Sequence, residues 1–307
     1  MTADLARKFL VEQLSPRYGE GEAKSMVRIV FEDAFDRGRA FEELRFKEIL
    51  ERLVAGEPLQ YVLGEADFFG LKFKVSPAVL IPRQETEELV AWVLESIRDG
   101  LLDLTTFKKL SNLKVLDIGL GSGCIGITLK KKIPGLQLFG LEKSPAALNI
   151  ALENASQILG APSPLNPKPS TLNPKPSTLN PPPSTLFLHG DILNHSDWDL
   201  FPTLDVVVSN PPYIPDSEKN LVPEHVMAHE PSLALFVDDP DPLQFYRVIS
   251  DFALEKLRPG GILFFECNEF NASDVALMLR KKGFSKVEIR KDLSGAERMA
   301  KGVFEPS

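Results

Sequence analysis

The chain is short of the residues that build staples, metal sites and membrane spans. Among 307 residues there are two cysteines, Cys124 and Cys267, too few for a disulfide framework or a thiolate zinc site. Both read as small buried apolar residues. Four histidines occur. Of these, His225 and His229 are four apart but lack the acid of a His-Glu-x-x-His arrangement, so they read as surface residues and no metal is expected. No apolar run approaches the roughly 18 residues that cross a bilayer, so no membrane partner is expected. The first residues contain Asp4 and Glu12, unlike a signal or transit peptide. The expectation is a cytoplasmic protein, with an organelle left open if a targeting segment precedes the sequence.

Positive charge is also in deficit. The 35 lysines and arginines face 43 acids, giving a net charge of −8. A protein whose main ligand is a phosphate backbone usually carries a basic face, so a direct nucleic-acid substrate is disfavoured. The triplet Lys130-Lys131-Lys132 reads as the solvated end of a helix, where cations meet the negative pole of the dipole.

What is present is a chain of 43% hydrophobic residues whose rhythm changes along its length. Residues 1–57 place apolar residues at helical spacing, as in Met26, Val27, Val30 and Phe31, which predicts a small helical domain. Residues 58–85 are broken by glycine and proline and read as a linker, with a hairpin over Phe68 to Val79 turning at Gly70 and Pro77. Helix resumes at Thr86 to Ile97, with Glu85 or Thr86 near its cap. From there to residue 307, short apolar runs at Val115, Leu136, Leu186, Val206 and Ile262 alternate with helical stretches. Alternation of this kind predicts an α/β domain with a mostly parallel sheet, closed by an antiparallel C-terminal hairpin over Lys286 to Lys291 and Arg298 to Val303. A tandem repeat, LNPKPST-LNPKPST-LNPPPST, fills most of residues 162–185. Its proline density forbids helix and removes sheet donors, so it reads as an inserted surface loop that spares function.

Val115-Leu116-Asp117-Ile118 runs directly into Gly119-Leu120-Gly121-Ser122-Gly123 and then a helix. Glycines allow a tight turn and close backbone approach to a ligand, while amides at a helix start favour negative charge. The glycine spacing is shared with dinucleotide-binding loops. Asp117 tips the choice to S-adenosyl-L-methionine, whose amino group an acid there can meet. Glu142 ends the second strand, where it can take the ribose hydroxyls, and Asp191 with Ile192 follows the third, near an adenine.

After the fourth strand comes Asn210-Pro211-Pro212-Tyr213. A planar amide or exocyclic amine is a poor nucleophile because its lone pair is delocalised. The Asn210 side-chain oxygen and the Pro211 carbonyl can each accept one N–H and so aim the nitrogen, Pro212 helps fix the backbone, and Tyr213 can stack on the flat group. These four are the candidate catalytic residues, and Asn210 also borders the cofactor.

With Gly56-Glu57-Pro58-Leu59-Gln60-Tyr61, Leu80-Ile81-Pro82-Arg83, Glu230-Pro231 and Pro259-Gly260-Gly261 added, the chain resembles the HemK/PrmC family of protein glutamine N5-methyltransferases over nearly its whole length. The resemblance implies a Rossmann-like class I S-adenosylmethionine-dependent methyltransferase domain. It further implies a helical domain that recognises a peptide chain release factor and insertion of the glutamine of a Gly-Gly-Gln loop at Asn210; separately, a monomer is expected. This sequence departs from the family pattern at Leu120, where Thr is usual, at Glu142 for Asp and at Gln84 for Pro. Three other readings stay open at this point. They are an N6-adenine nucleic-acid methyltransferase, a glutamine methyltransferase of a ribosomal protein, and a non-catalytic scaffold.

Overall fold

The computed structural model describes residues 2–35, 41–99, 112–160 and 184–306. Helix α1 (Ala3–Tyr18) starts at a Thr2 cap and tolerates Pro16, α2 (Glu20–Val30) runs on into a π-helical turn at Phe31–Phe35, and α3 (Glu43–Val54) follows. Their apolar stripes meet in one cluster around Leu10, Leu14, Val27, Phe31, Phe46 and Leu53. A short helix α4 (Leu59–Leu63) ends at Gly64 in the left-handed region and leads into the hairpin β1 (Glu65–Phe68) and β2 (Leu71–Lys74). The hairpin therefore begins three residues before the expected Phe68. Its turn is Phe69-Gly70, both at positive φ, as a two-residue hairpin connection of the primed type demands.

The rest of the described residues carry a two-residue parallel pair, β7 (Ile214–Pro215) with β8 (Phe236–Val237), and a seven-stranded sheet in the order β10-β11-β9-β6-β3-β4-β5. Its strands are β3 (Lys114–Ile118), β4 (Gln137–Glu142), β5 (Thr185–His189), β6 (Leu204–Ser209), β9 (Leu257–Glu266), β10 (Ser285–Lys291) and β11 (Glu297–Val303). The five strands from β9 to β5 are parallel, and β11 and β10 add an antiparallel edge. Alternate side chains of one strand go to opposite faces. Val115, Leu138, Phe187, Val206 and Phe264 pack with α5 (Gln84–Arg98), α6 (Cys124–Lys132) and α7 (Pro145–Leu159). Leu116, Phe139, Leu188, Val207 and Leu263 pack with α10 (Gln244–Lys256) and α11 (Ala272–Lys281). Burial on both faces is why the strands read as continuous apolar runs.

Two joints tie the parts together. Lys72 on β2 reaches Asp33 at 2.7 Å, linking the hairpin to the helical bundle. Asn154 of α7 is fully buried. Its side chain accepts from the Lys74 amide at 2.7 Å and donates to the carbonyls of Lys74 at 3.0 Å and Ser122 at 2.8 Å, joining the hairpin to the glycine loop.

Most of the proline repeat, residues 161–183, lies outside the described residues. Its expected end at residue 185 is corrected: Thr185 already pairs with Leu138 in β5, and the Ser184 carbonyl accepts the Leu138 amide at 2.9 Å. The expected cap of α5 is corrected too. Arg83 occupies the cap, and Thr86 is buried with its hydroxyl turned towards the sheet. Among the described residues no helix is long and apolar enough to cross a membrane.

Candidate active site

The strand order reverses at β3, which has β4 on one side and β6 on the other. A crevice opens there beyond the C-terminal ends of the strands. It holds a cavity of about 250 Å³ lined by Gly119, Leu120, Gly121, Ser122, Glu142, Asp191, Ile192, Asn210, Pro211 and Pro212. Ten of the expected site residues thus meet in one place, although they come from four strand ends. Its far wall is apolar and was not foreseen: Val79, Leu80 and Ile81 from the linker, Leu233 and Ala234 from α9 (Ser232–Leu235), and Phe245 and Ile249 from α10.

The glycine loop has the conformation that its composition requires. Gly119, Gly121 and Gly123 all have positive φ, and a Cβ on Gly119 would meet nothing within 4 Å, so that backbone faces open space. Asp117 and Gly123 are set behind the loop and do not line the cavity. Asp117 is 1% exposed, and its Oδ2 accepts the Gly126 amide at 2.9 Å, while Oδ1 is buried without a partner. Burial pushes its carboxyl up to about 7, the Gly126 amide pulling the other way. A buried acceptor without a donor is costly, and a cationic donor such as an ammonium group would satisfy it.

Glu142 reaches across the crevice. Its Oε2 accepts the Gly121 amide at 2.8 Å and its Oε1 the Ser144 amide at 2.7 Å. One carboxylate thus ties the loop after β3 to the loop after β4. Burial raises its pKa, opposed by those amides. Leu120, the other departure in the loop, packs into the sheet beside Gly140, where a Cβ would lie 2.9 Å from its methyl groups. Asp191 is more open and pairs with Lys143 at 2.9 Å, and its Oδ1 accepts the Leu193 amide at 3.0 Å. An orphaned acid, a bridging acid and a glycine cradle that a side chain would disturb fit the amino, ribose and backbone-contacting parts of S-adenosylmethionine.

On the other side of β3, Asn210 follows β6. Its Nδ2 donates to Thr86 Oγ1 at 3.4 Å, and Thr86 in turn donates to Glu266 Oε2 at 2.6 Å. Glu266 ends β9 and is 2% exposed; burial pushes its carboxyl up to about 7. Sequence reasoning missed both Thr86 and Glu266. The only signal was an acid closing a fifth apolar run, as acids close the second. Tyr213 does not share the first cavity. It lines an adjoining pocket of about 300 Å³ with Glu266, Arg83 and Leu80, and burial raises its phenol well above its usual value. Arg83 pairs with the buried Glu230, whose other oxygen accepts the Ile81 amide at 3.2 Å, fixing the linker against the rim. The histidines His225 and His229 share the short helix α8 (Glu224–His229), and no group of three metal-ligating side chains exists among the described residues.

Fold and site together define a class I S-adenosylmethionine-dependent methyltransferase. Residues 100–160 match the family model described as "Methyltransferase small domain", which covers the glycine loop and Glu142. The release factor glutamine methyltransferase of Flavobacterium psychrophilum is 38% identical over 261 residues, 85% of this chain and 80% of its own length. That of Bacteroides thetaiotaomicron is 35% identical over 260 residues, 85% and 81% of the two chains. The chain belongs to the release factor glutamine methyltransferase family. Among solved structures, the hMettl16 catalytic domain in complex with a 3′UTR hairpin matches with a TM-score of 0.52 at 16% identity, covering 85% of this chain and 80% of that one. That likeness extends to the fold alone.

Proposed function

We propose that this protein transfers the methyl group of S-adenosylmethionine to the side-chain amide nitrogen of a glutamine in a peptide chain release factor, at its Gly-Gly-Gln loop. Family membership supports the reaction. The observation that carries the site is that Asn210, Pro211 and Pro212 border the same cavity as the glycine loop and Glu142. When bound, S-adenosylmethionine supplies an electrophilic methyl group on a sulfonium. The chain itself contributes placement. Asp117 takes the ammonium end, Glu142 the ribose hydroxyls, and Asp191 with Ile192 the adenine.

Asn210 Oδ1 accepts no hydrogen bond from the described residues, because Nδ2 is the atom engaged by Thr86. It and the Pro211 carbonyl accept the two N–H bonds of the glutamine amide, pinning the nitrogen in line with the methyl group. The proton leaves to solvent after transfer, when the alkylated nitrogen is strongly acidic, so no strong base is needed. Tyr213, from its neighbouring pocket, flanks the entering chain. Residues 1–57 recognise the release factor, 58–85 connect, and 86–307 carry the chemistry. We read the protein as a cytoplasmic monomer acting on protein and not on nucleic acid, in line with its net charge of −8.

The test is mass spectrometry of a purified release factor incubated with the chain and S-adenosylmethionine. One added methyl on the Gly-Gly-Gln glutamine is expected. Methylation of a ribosomal protein or of adenine instead, with the release factor unmodified, would overturn the substrate.

A further inference from the structure

The carboxamide of asparagine is nearly symmetric in shape but opposite in chemistry at its two ends. An enzyme that uses Asn210 Oδ1 as an acceptor has to prevent the flipped amide, which would present two N–H donors to a substrate that also brings N–H donors. The cost of the wrong face is a lost acceptor and a donor–donor clash at the reacting nitrogen.

We propose that Thr86 and Glu266 form a relay that fixes the orientation of the Asn210 amide, making Thr86 and Glu266 positioning residues for methyl transfer. The proposal rests on the reading of Asn210 given above. The hydrogen-bond directions force the outcome. An ionised carboxylate only accepts, so the Thr86 hydroxyl spends its single proton on Glu266, at 2.6 Å. Thr86 Oγ1 then has only lone pairs for Asn210, and Nδ2 must point to it, at 3.4 Å. The reacting side is left with Oδ1. The relay is sheltered: Thr86 is 3% and Glu266 2% exposed, and the three residues come from α5, β6 and β9, which the sheet brings to one edge.

Protonation of Glu266 removes the constraint, because a carboxylic acid donates to Thr86, which is then free to donate to Asn210 Oδ1 and flip it. The groups that face Glu266 are Glu85 on α5, Cys124 on α6, Tyr213 after β6, Tyr246 on α10, and Cys267 and Arg298 beside β9 and on β11. Burial and Glu85 raise its carboxyl to about 7, against Thr86, Arg298 and the Asn210 amide, whose N–H side also faces the carboxylate. The relay is therefore intact above about pH 7 and lost as pH falls through that value.

The experiment compares wild type with Thr86→Val, Thr86→Ser and Glu266→Gln. Release-factor methylation is followed from pH 5.5 to 9, cofactor Kd by calorimetry, and the Asn210 side-chain amide by ¹⁵N NMR. Thr86→Val is expected to lower kcat by roughly 10- to 100-fold with cofactor Kd nearly unchanged, the size of effect that misalignment of a reacting group produces. Thr86→Ser keeps the hydroxyl and restores kcat to within about threefold. Glu266→Gln, able to accept or donate, lowers kcat and abolishes the acid limb near pH 7. Wild-type kcat in Thr86→Val, or no rescue by serine in a protein that still binds cofactor, overturns the relay. Should the wild type fail to methylate the release factor, the substrate reading falls and the NMR arm judges the relay alone. An Asn210 amide signal that titrates near pH 7 in wild type but not in Glu266→Gln upholds it, and a signal indifferent to pH sinks it.

Discussion

On one side of β3, strands β4 and β5 and β3 itself carry carboxylates at or just past their ends, held by backbone amides of the loops and the helix that follow. On the other side, β6 and β9 end in Asn210 and Glu266, joined by a hydroxyl from α5. The cofactor half of the cavity is thus assembled from nearer partners: Glu142 and Gly121 are 21 residues apart, Asp117 and Gly126 nine, Glu142 and Ser144 two. The acceptor half depends on contacts 124 and 180 residues apart in sequence. Local partners hold a charge in place wherever the loop forms. Distant ones hold an orientation only when the whole domain is closed, so the half that must position a weak nucleophile depends on global packing.

The sharpest way to separate the halves is Asn210→Ala. Methyl transfer is expected to fall by about two to three orders of magnitude, the usual cost of losing one aimed polar group, with cofactor affinity within about twofold of wild type. Steady-state kinetics beside calorimetry reads both. A parallel loss of affinity would mean that the halves are not independent.

Asp117→Asn attacks the other half and has two opposed effects. Cofactor affinity should drop about 10- to 100-fold with the loss of a charge-assisted bond. The cofactor-free protein should become more stable, because Asp117 is an acid whose pKa in the folded state lies above its unfolded value. For such a group the folded protein holds the proton longer, so stability falls as pH rises from about 4 to about 7 and is flat above. Thermal unfolding at pH 5 and 8 should show that slope in wild type and a smaller one in the variant. Cofactor affinity runs the other way, rising through pH 7 as Asp117 ionises.

Gly126→Ala tests how tightly the local half is built. The new methyl group would lie 2.9 Å from a Leu138 methyl and 3.1 Å from Asp117 Oδ2. A loss of about 1–3 kcal/mol in denaturant unfolding is expected, with weaker cofactor binding. Smallest of all should be deletion of residues 163–183, for which kcat and the denaturation midpoint are expected to stay within error. Extending the cut to Ser184 should change little more, because whichever residue then precedes Thr185 offers its own backbone carbonyl to the Leu138 amide. If the shorter deletion also cripples the enzyme, the repeat is part of the folded structure.

The same division explains what could be read from the sequence. The strand–helix alternation, the glycine loop and the acids at strand ends are local patterns, and α6 and α7 fall at Cys124–Lys132 and Pro145–Leu159 as their periodicity predicts. Thr86 was legible only as a helix cap, since nothing near it in the chain says that its hydroxyl meets Glu266. The apolar wall from Leu233, Phe245 and Ile249 was invisible for the same reason: those side chains read as ordinary core until the fold shows them facing a cavity. Tyr213 belonged to a motif whose four members were expected to act at one spot, but its ring lines the next pocket.

Parallel strands give the domain a working end and an idle end. Every group assigned to the cofactor or to methyl transfer lies at or near the C-terminal tips, whereas α7 ends and β5 begins at the opposite edge, and in the sequence between them a seven-residue unit is repeated three times in tandem. Repeated copying of a coding segment is an ordinary accident of replication. The polarity of the sheet puts Gly160 and Ser184 at the end away from the cofactor crevice, so the same junction is the expected place to graft a tag or a second protein with the chemistry left intact.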